Sequence, residues 1–124
     1  MGKLKILIVE DDKGTQALYN KGLHADMFET VYATNGKDAM ELYHSWHPDI
    51  IVLDIMLPIM TGYSVLKEIR EELEDKKTTI IMATSLQGKE DIADCSRVGI
   101  QGYITKPFKY KEIGNQVIKC YQGE

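Results

Sequence analysis

IIVLDIMLPIMTG, residues Ile50 to Gly62, carries four consecutive apolar residues that end on one acid, Asp54. Pro58 and Gly62 follow within eight positions of that acid. A β-branched and aliphatic run without polar alternation is the mark of a strand buried on both faces, as in the middle of a parallel sheet. The acid that closes it then stands at the carboxyl edge of the sheet, where open α/β sheets form their ligand crevice. A carboxylate there can be a metal ligand, a nucleophile or a cap for the next helix. The stretch alone leaves all three open.

Working outward, similar runs recur. Upstream, KILIV (Lys5–Val9) ends in three acids, Glu10, Asp11 and Asp12. Glu29–Ala33 is less apolar and alternates, which suits an edge strand. Downstream, TIIMA (Thr79–Ala83) stops at two hydroxyls, Thr84 and Ser85, and Gly102–Thr105 precedes Lys106-Pro107-Phe108. Helical spacing falls between these runs. One helix spans Lys13 to about Ala25 with Leu18, Gly22 and Leu23 on one face; Gly14 and Gly22 each cost it about 1 kcal/mol relative to Ala. A second opens at Asn35-Gly36, turns Ala39, Met40, Tyr43 and Trp46 inward, and stops at Pro48. A third carries Val65, Leu66, Ile69 and Leu73 on one face, with KEIREELEDKK as its solvated side. A fourth spans Gly88–Val98 and ends on Gly99. A last one carries Ile113, Val117, Ile118 and Tyr121. Strict βα alternation with right-handed crossovers predicts a doubly wound, five-stranded parallel sheet of order 2-1-3-4-5, the flavodoxin-like α/β class.

The bulk properties narrow the function classes. The 124 residues make one domain with a formal net charge of -4 and both signs scattered, so the basic footprint of a nucleic-acid binder is absent. No stretch has the length of a membrane span or the pattern of a signal peptide. Cys95 and Cys120 lack metal-ligand spacing and read as reduced thiols of a cytoplasmic protein. His44 and His47 flank a helix end with no third ligand nearby, and read as surface or dipole partners. No GxxxxGK[ST] or GxGxxG follows the first strand.

The sheet edge gathers the chemistry. An EDD cluster alone reads first as a solvated acidic turn, in which Asp12 caps the next helix, and second as a divalent-cation site. Ser85 alone reads as a helix cap. In the predicted strand order, Glu10, Asp11, Asp54, Thr84 and Lys106 all converge on one end of one sheet. Clustered oxygens suit a hard cation such as Mg²⁺ or Mn²⁺. A carboxylate can attack phosphorus, while an ammonium and a hydroxyl can neutralise phosphoryl oxygens.

With VEDD, LDIMLPIMTG, ATS and YITKPF in place, the chain resembles a response-regulator receiver domain of two-component signalling, the CheY-like superfamily, from Lys5 to about Tyr121. The resemblance implies that Asp54 is the phospho-acceptor. It implies that Asp11 binds Mg²⁺ directly, Glu10 through water, and that Asp54 and the backbone carbonyl of Met56 complete the metal set. Thr84 becomes the switch hydroxyl, Tyr103 the aromatic whose rotamer follows it, and Lys106 the phosphate-pairing lysine before a cis proline bond. The implied partners are a sensor histidine kinase or phosphotransfer protein, which supplies the phosphoryl group, and a downstream protein that reads the α4-β5-α5 surface. No nucleic acid or membrane is contacted. Such a chain is a switch and not a turnover enzyme.

The departures from the family pattern carry expectations of their own. Met56 and Leu86 stand two residues beyond Asp54 and Thr84, flank the path of a hydrolytic water, and cannot orient it, so phosphoryl loss is expected to be slow. Gln101-Gly102 replace acids used in dimer salt bridges by many DNA-binding regulators. The chain closes with its fifth helix, which suggests a stand-alone regulator, residues 1–124 forming one receiver domain. Two other readings compete. A phosphate-independent binding module of the same fold would have a degenerate pocket. A nucleophilic-aspartate phosphohydrolase would carry a second acid where Met56 stands.

Overall fold

The computed structural model describes residues 2–85 and 89–123. Five parallel strands, β1 (Leu4–Val9), β2 (Phe28–Ala33), β3 (Ile50–Asp54), β4 (Thr79–Ser85) and β5 (Gly102–Lys106), form one sheet of order β2-β1-β3-β4-β5. Helices α1 (Lys13–Gly22), α2 (Gly36–Trp46), α3 (Gly62–Lys67), α4 (Lys89–Val98) and α5 (Tyr110–Gln122) connect and follow them. The expected fold is therefore the observed one.

Strand alternation explains why the apolar runs are unbroken. Ile6, Ile8, Ile50, Val52 and Ile81 face one layer with Tyr19, Leu23, Ile113 and Val117 of the α1/α5 side. Leu7, Val9, Ile51, Leu53, Ile80 and Met82 face the other with residues of α2, α3 and α4. A strand covered on both faces has no polar face to display.

Several expectations about the helices change in the structure. Helix α1 stops at Gly22, short of Ala25, with the Leu23 N–H closing on the Tyr19 carbonyl. Gly22 and Leu23 are buried as the spacing suggested, but Tyr19 takes the inward place expected for Leu18, which is exposed. Gly22 is not a mere propensity cost. A Cβ there would strike the Tyr110 carbonyl and Ile113, so its bareness lets α1 and α5 close on each other. Ser85 is the last residue of β4, and the N–H groups it was expected to cap lie outside the described residues. The predicted start of α4 at Gly88, and Leu86, lie outside the described residues. Tyr121 is exposed.

Helix α3 shows the largest correction. It continues through Glu68–Glu72 as a wider, π-type turn, with the Leu73 N–H donating to the Glu68 carbonyl at 2.9 Å. An extra residue in a turn rotates everything after it by about 100° relative to α spacing. Leu73 is thereby turned to solvent, and Arg70 of the supposedly solvated charge run is buried at 6% exposure. Its guanidinium donates to the carbonyls of Gly99, Asp75 and Thr78 and to Gln101 Oε1, each at 2.8 Å. Gln101 Oε1 also accepts the Ile80 N–H at 2.7 Å, so the amide oxygen of this exposed residue is engaged within the chain.

Beside Arg70, the Asp75 carboxylate accepts from Tyr43 OH at 2.5 Å, Thr78 Oγ1 at 2.6 Å, and the Lys77 and Thr78 N–H groups. Burial works against its charge, but these four donors outweigh it and hold the carboxyl well below its ordinary value of 3.8. Burial and Asp75 together push the Tyr43 hydroxyl up to about 12. A folded-state pKa below the unfolded one contributes stability that is complete above the unfolded value and lost as pH falls beneath it. Stability against urea should therefore fall from pH 4 downward, and Asp75→Asn should flatten that acid limb. Equal slopes for the two proteins would remove Asp75 as its source.

The loop after β3 holds a strained residue. Ile59 has φ 68° at 81% exposure, and the Met60 N–H donates to the Pro58 carbonyl at 2.7 Å across it. This is a γ-turn in the left-handed region, an outlier for a β-branched residue. Ile59→Gly relieves about 1–2 kcal/mol of strain and gives back part of that in unfolded-chain entropy. The melting temperature should rise by about 3 °C. A fall would show that the exposed Ile59 side chain makes a stabilising contact.

Candidate functional site

The site follows from strand register. Val9 of β1 pairs with Leu53 of β3, so the next residues, Glu10 and Asp54, come out side by side at the carboxyl edge. Glu10 is held at three points. Its N–H donates to the Ala33 carbonyl at 2.9 Å, its carbonyl accepts Gln16 Nε2 at 2.6 Å, and its Oε2 accepts the Asp12 N–H at 3.1 Å. Asp12 caps α1 as expected, accepting the Thr15 N–H at 2.8 Å.

Asp54 is buried at the end of β3, and its Oδ1 accepts the Met56 N–H at 3.2 Å. Its carbonyl lies against Gly62, where a Cβ would collide with it, so only glycine lets the start of α3 close over the acid. The Gly62 N–H donates to the Ile55 carbonyl at 3.1 Å, and Thr61 caps α3 through the Ser64 N–H. Gly62 thus sets how closely the start of α3 approaches the acid.

Lys106 arrives from the end of β5. Its Nζ lies 2.9 Å from Glu10 Oε1 and 3.0 Å from Asp54 Oδ2. Burial disfavours the ammonium, but the hydrogen bonds to Glu10 and Asp54 outweigh it and raise its pKa. Burial raises the Glu10 carboxyl above its ordinary value against the pull of Lys106. The Lys106-Pro107 bond is cis, as the resemblance implied.

The exposed Asp11 joins Glu10 and Asp54, and one carboxylate oxygen of each lies within 4.8 Å of the others. Three carboxylates against one ammonium leave a formal excess of two negative charges (1 − 3 = −2). An all-oxygen set with that excess suits a hard dication of the Mg²⁺ kind, and offers no sulfur or imidazole to a softer one.

A cavity of about 390 Å³ opens above Asp54, walled by Met56, Thr84, Ser85, Asp91 and Lys106. Thr84 is buried, and its hydroxyl donates to the Ser85 carbonyl at 3.2 Å. Tyr103 stands on edge strand β5 at 58% exposure, turned outward and more open than a half-buried aromatic. Sequence reading missed Gln16, which pins Glu10, and Asp91 on the cavity wall. An acid early in α4 was a signal for Asp91; nothing local marked Gln16.

A single family model, that of the response regulator receiver domain, matches residues 6–118. The polar-differentiation response regulator DivK of Brucella ovis is 30% identical over 119 residues, 96% of this chain and 96% of that one. The ycf27 transcriptional regulator of Guillardia theta is 36% identical over 111 residues, 90% of this chain. The chain spans only 42% of that regulator, and under half of several others. The chemotaxis response regulator CheY4 of Vibrio cholerae superposes with a TM-score of 0.86 at 25% identity, covering 96% of this chain and 99% of that one. The chain belongs to the response-regulator receiver domains of two-component systems. It is a receiver module of the signalling-switch kind. No helix among the described residues is long and apolar enough to cross a membrane.

Proposed function

We propose that Asp54 accepts a phosphoryl group from the phosphohistidine of a sensor histidine kinase or phosphotransfer protein, in a reaction that needs Mg²⁺ or Mn²⁺. The N–P bond breaks as an Asp54 carboxylate oxygen bonds to phosphorus, and the histidine leaves as imidazole. The observation that carries this reading is Lys106 bridging Glu10 and Asp54 at the floor of a cavity that also presents the Thr84 hydroxyl.

Glu10, Asp11, Asp54 and the Met56 carbonyl are the groups that would hold the cation. When bound, it offsets the repulsion between the acids and an anionic donor. Asp54 is oriented for attack by the Met56 N–H. Lys106 exchanges a carboxylate partner for a phosphoryl oxygen as a point charge. The Thr84 hydroxyl, whose partner among the described residues is the neighbouring Ser85 carbonyl, would turn toward another.

The added charge, about −1.5 to −2, favours the inward Thr84 and leaves room for Tyr103 to turn in. The surface of α4, β5 and α5 changes accordingly and is read by a partner protein. The free thiols of Cys95 and Cys120 fit a reducing, cytoplasmic setting. Met56 on the cavity wall cannot orient a water, which supports slow phosphoryl loss.

Intact-mass analysis after incubation with acetyl phosphate tests the reading. A single phosphoryl adduct should form with Mg²⁺ and disappear with a chelator. No adduct under either condition would replace this reading with a phosphate-independent binding module.

A further inference from the structure

The geometry points to Met56 as an oxidation site that sets how long Asp54 stays phosphorylated; this rests on the phosphorylation of Asp54 proposed above. Met56 is 78% exposed, yet it belongs to the pocket. Met56 is one of the residues that line the cavity above Asp54, and its N–H donates to Asp54 Oδ1 at 3.2 Å. A second cavity of about 220 Å³, toward Thr61 and Tyr63, also has Met56 in its lining, and at 78% exposure the residue is open to an oxidant from solvent. Of the other described methionines, Met82 and Met40 are buried, Met60 packs on the core, and Met27 is half-exposed on the far side of β1.

The oxidant is a hydroperoxide such as hydrogen peroxide. The thioether sulfur attacks one peroxide oxygen, the O–O bond breaks, a sulfur–oxygen bond forms, and the second oxygen leaves as water. Sulfur loses two electrons and the peroxide gains them. The product is a sulfoxide, a polar group with a strong acceptor oxygen where an apolar wall stood.

The cavity is large enough for several waters. The unmodified wall gives a water near Asp54 nothing to bond to at this position. The sulfoxide oxygen does, and can hold a water beside the acyl phosphate. Its negative end also faces an anionic donor. Both effects act in one direction, toward the unphosphorylated state. The lifetime of the phosphoryl group should shorten by about fivefold, the rate equivalent of one net hydrogen bond.

The test compares phosphoryl lifetime, followed by intact mass, before and after limited hydrogen peroxide, with peptide mapping to locate the added oxygen. Wild-type protein oxidised first at Met56 should lose its phosphoryl group faster, and methionine sulfoxide reductase with a thiol should restore the original lifetime. Met56→Leu, which keeps the backbone carbonyl and removes the sulfur, should show no change on peroxide treatment. Met56→Gln should have a short lifetime without peroxide. Oxidation at Met56 with an unchanged lifetime overturns the proposal, as does oxidation of Met27 ahead of Met56. Equal shortening in Met56→Leu assigns the effect to another residue and also overturns it. An absent adduct before any peroxide overturns the phosphorylation of Asp54 and this proposal with it; an adduct that ignores oxidation overturns this proposal alone.

Discussion

Asp54→Asn should yield no phosphoryl adduct on incubation with Mg²⁺ and acetyl phosphate, with the protein still folded. The amide is nearly isosteric and still offers one oxygen to the Met56 N–H or to Lys106. It lacks the second anionic oxygen that attacks phosphorus, so the adduct is lost outright and not merely slowed. Glu10 retains its bond to Lys106, so the buried ammonium keeps a partner. One of three converging negative charges is gone. The stability change should therefore stay within about 1 kcal/mol, while cation affinity falls by at least about tenfold. Circular dichroism, a thermal melt and a metal titration read these separately. An adduct that persists in Asp54→Asn would move the acceptor to another group of the pocket, with Asp11 first in line.

Arg70→Met should lower stability by about 3–5 kcal/mol, the usual cost of breaking a buried, hydrogen-bonded charge site by removing one side. For a domain of this size the melting temperature should drop by about 10–15 °C. Arg70 donates to three backbone carbonyls and one side-chain amide in four separate segments: the turn after α3, the approach to β4, the end of α4 and the approach to β5. Removing the guanidinium leaves those four acceptors without their shared donor. Arg70→Lys keeps the charge but not the planar fork, and should recover less than half of the loss. A melt within about 1 kcal/mol of wild type would show that water replaces the fork without cost. The same network gives the Gln101 side chain an intramolecular task, accepting from Arg70 and from the Ile80 N–H.

The pocket residues were legible because their signals are local. An apolar run that stops at Asp54, another that stops at Glu10, and a lysine before Pro107 each mark the end of a strand. Parallel alternation then brings strand ends together whatever the loops do. Arg70 was not legible, since a charge run at helical spacing normally faces water. Ile59 was not legible either, because nothing in its identity announces a left-handed backbone.

By itself the sequence determined the strand order and the edge at which the acids meet. Burial on both faces demands unbroken apolar strands, and βα alternation permits few arrangements of them. Only the tertiary structure decided that Lys106 would bridge Glu10 and Asp54, acids 96 and 52 residues away. It alone turned Arg70 inward and brought α1 against α5 at Gly22. Those outcomes depend on which groups face each other once the layers close. A buried charge or a missing Cβ takes its value from its neighbours in space, and no local pattern encodes them.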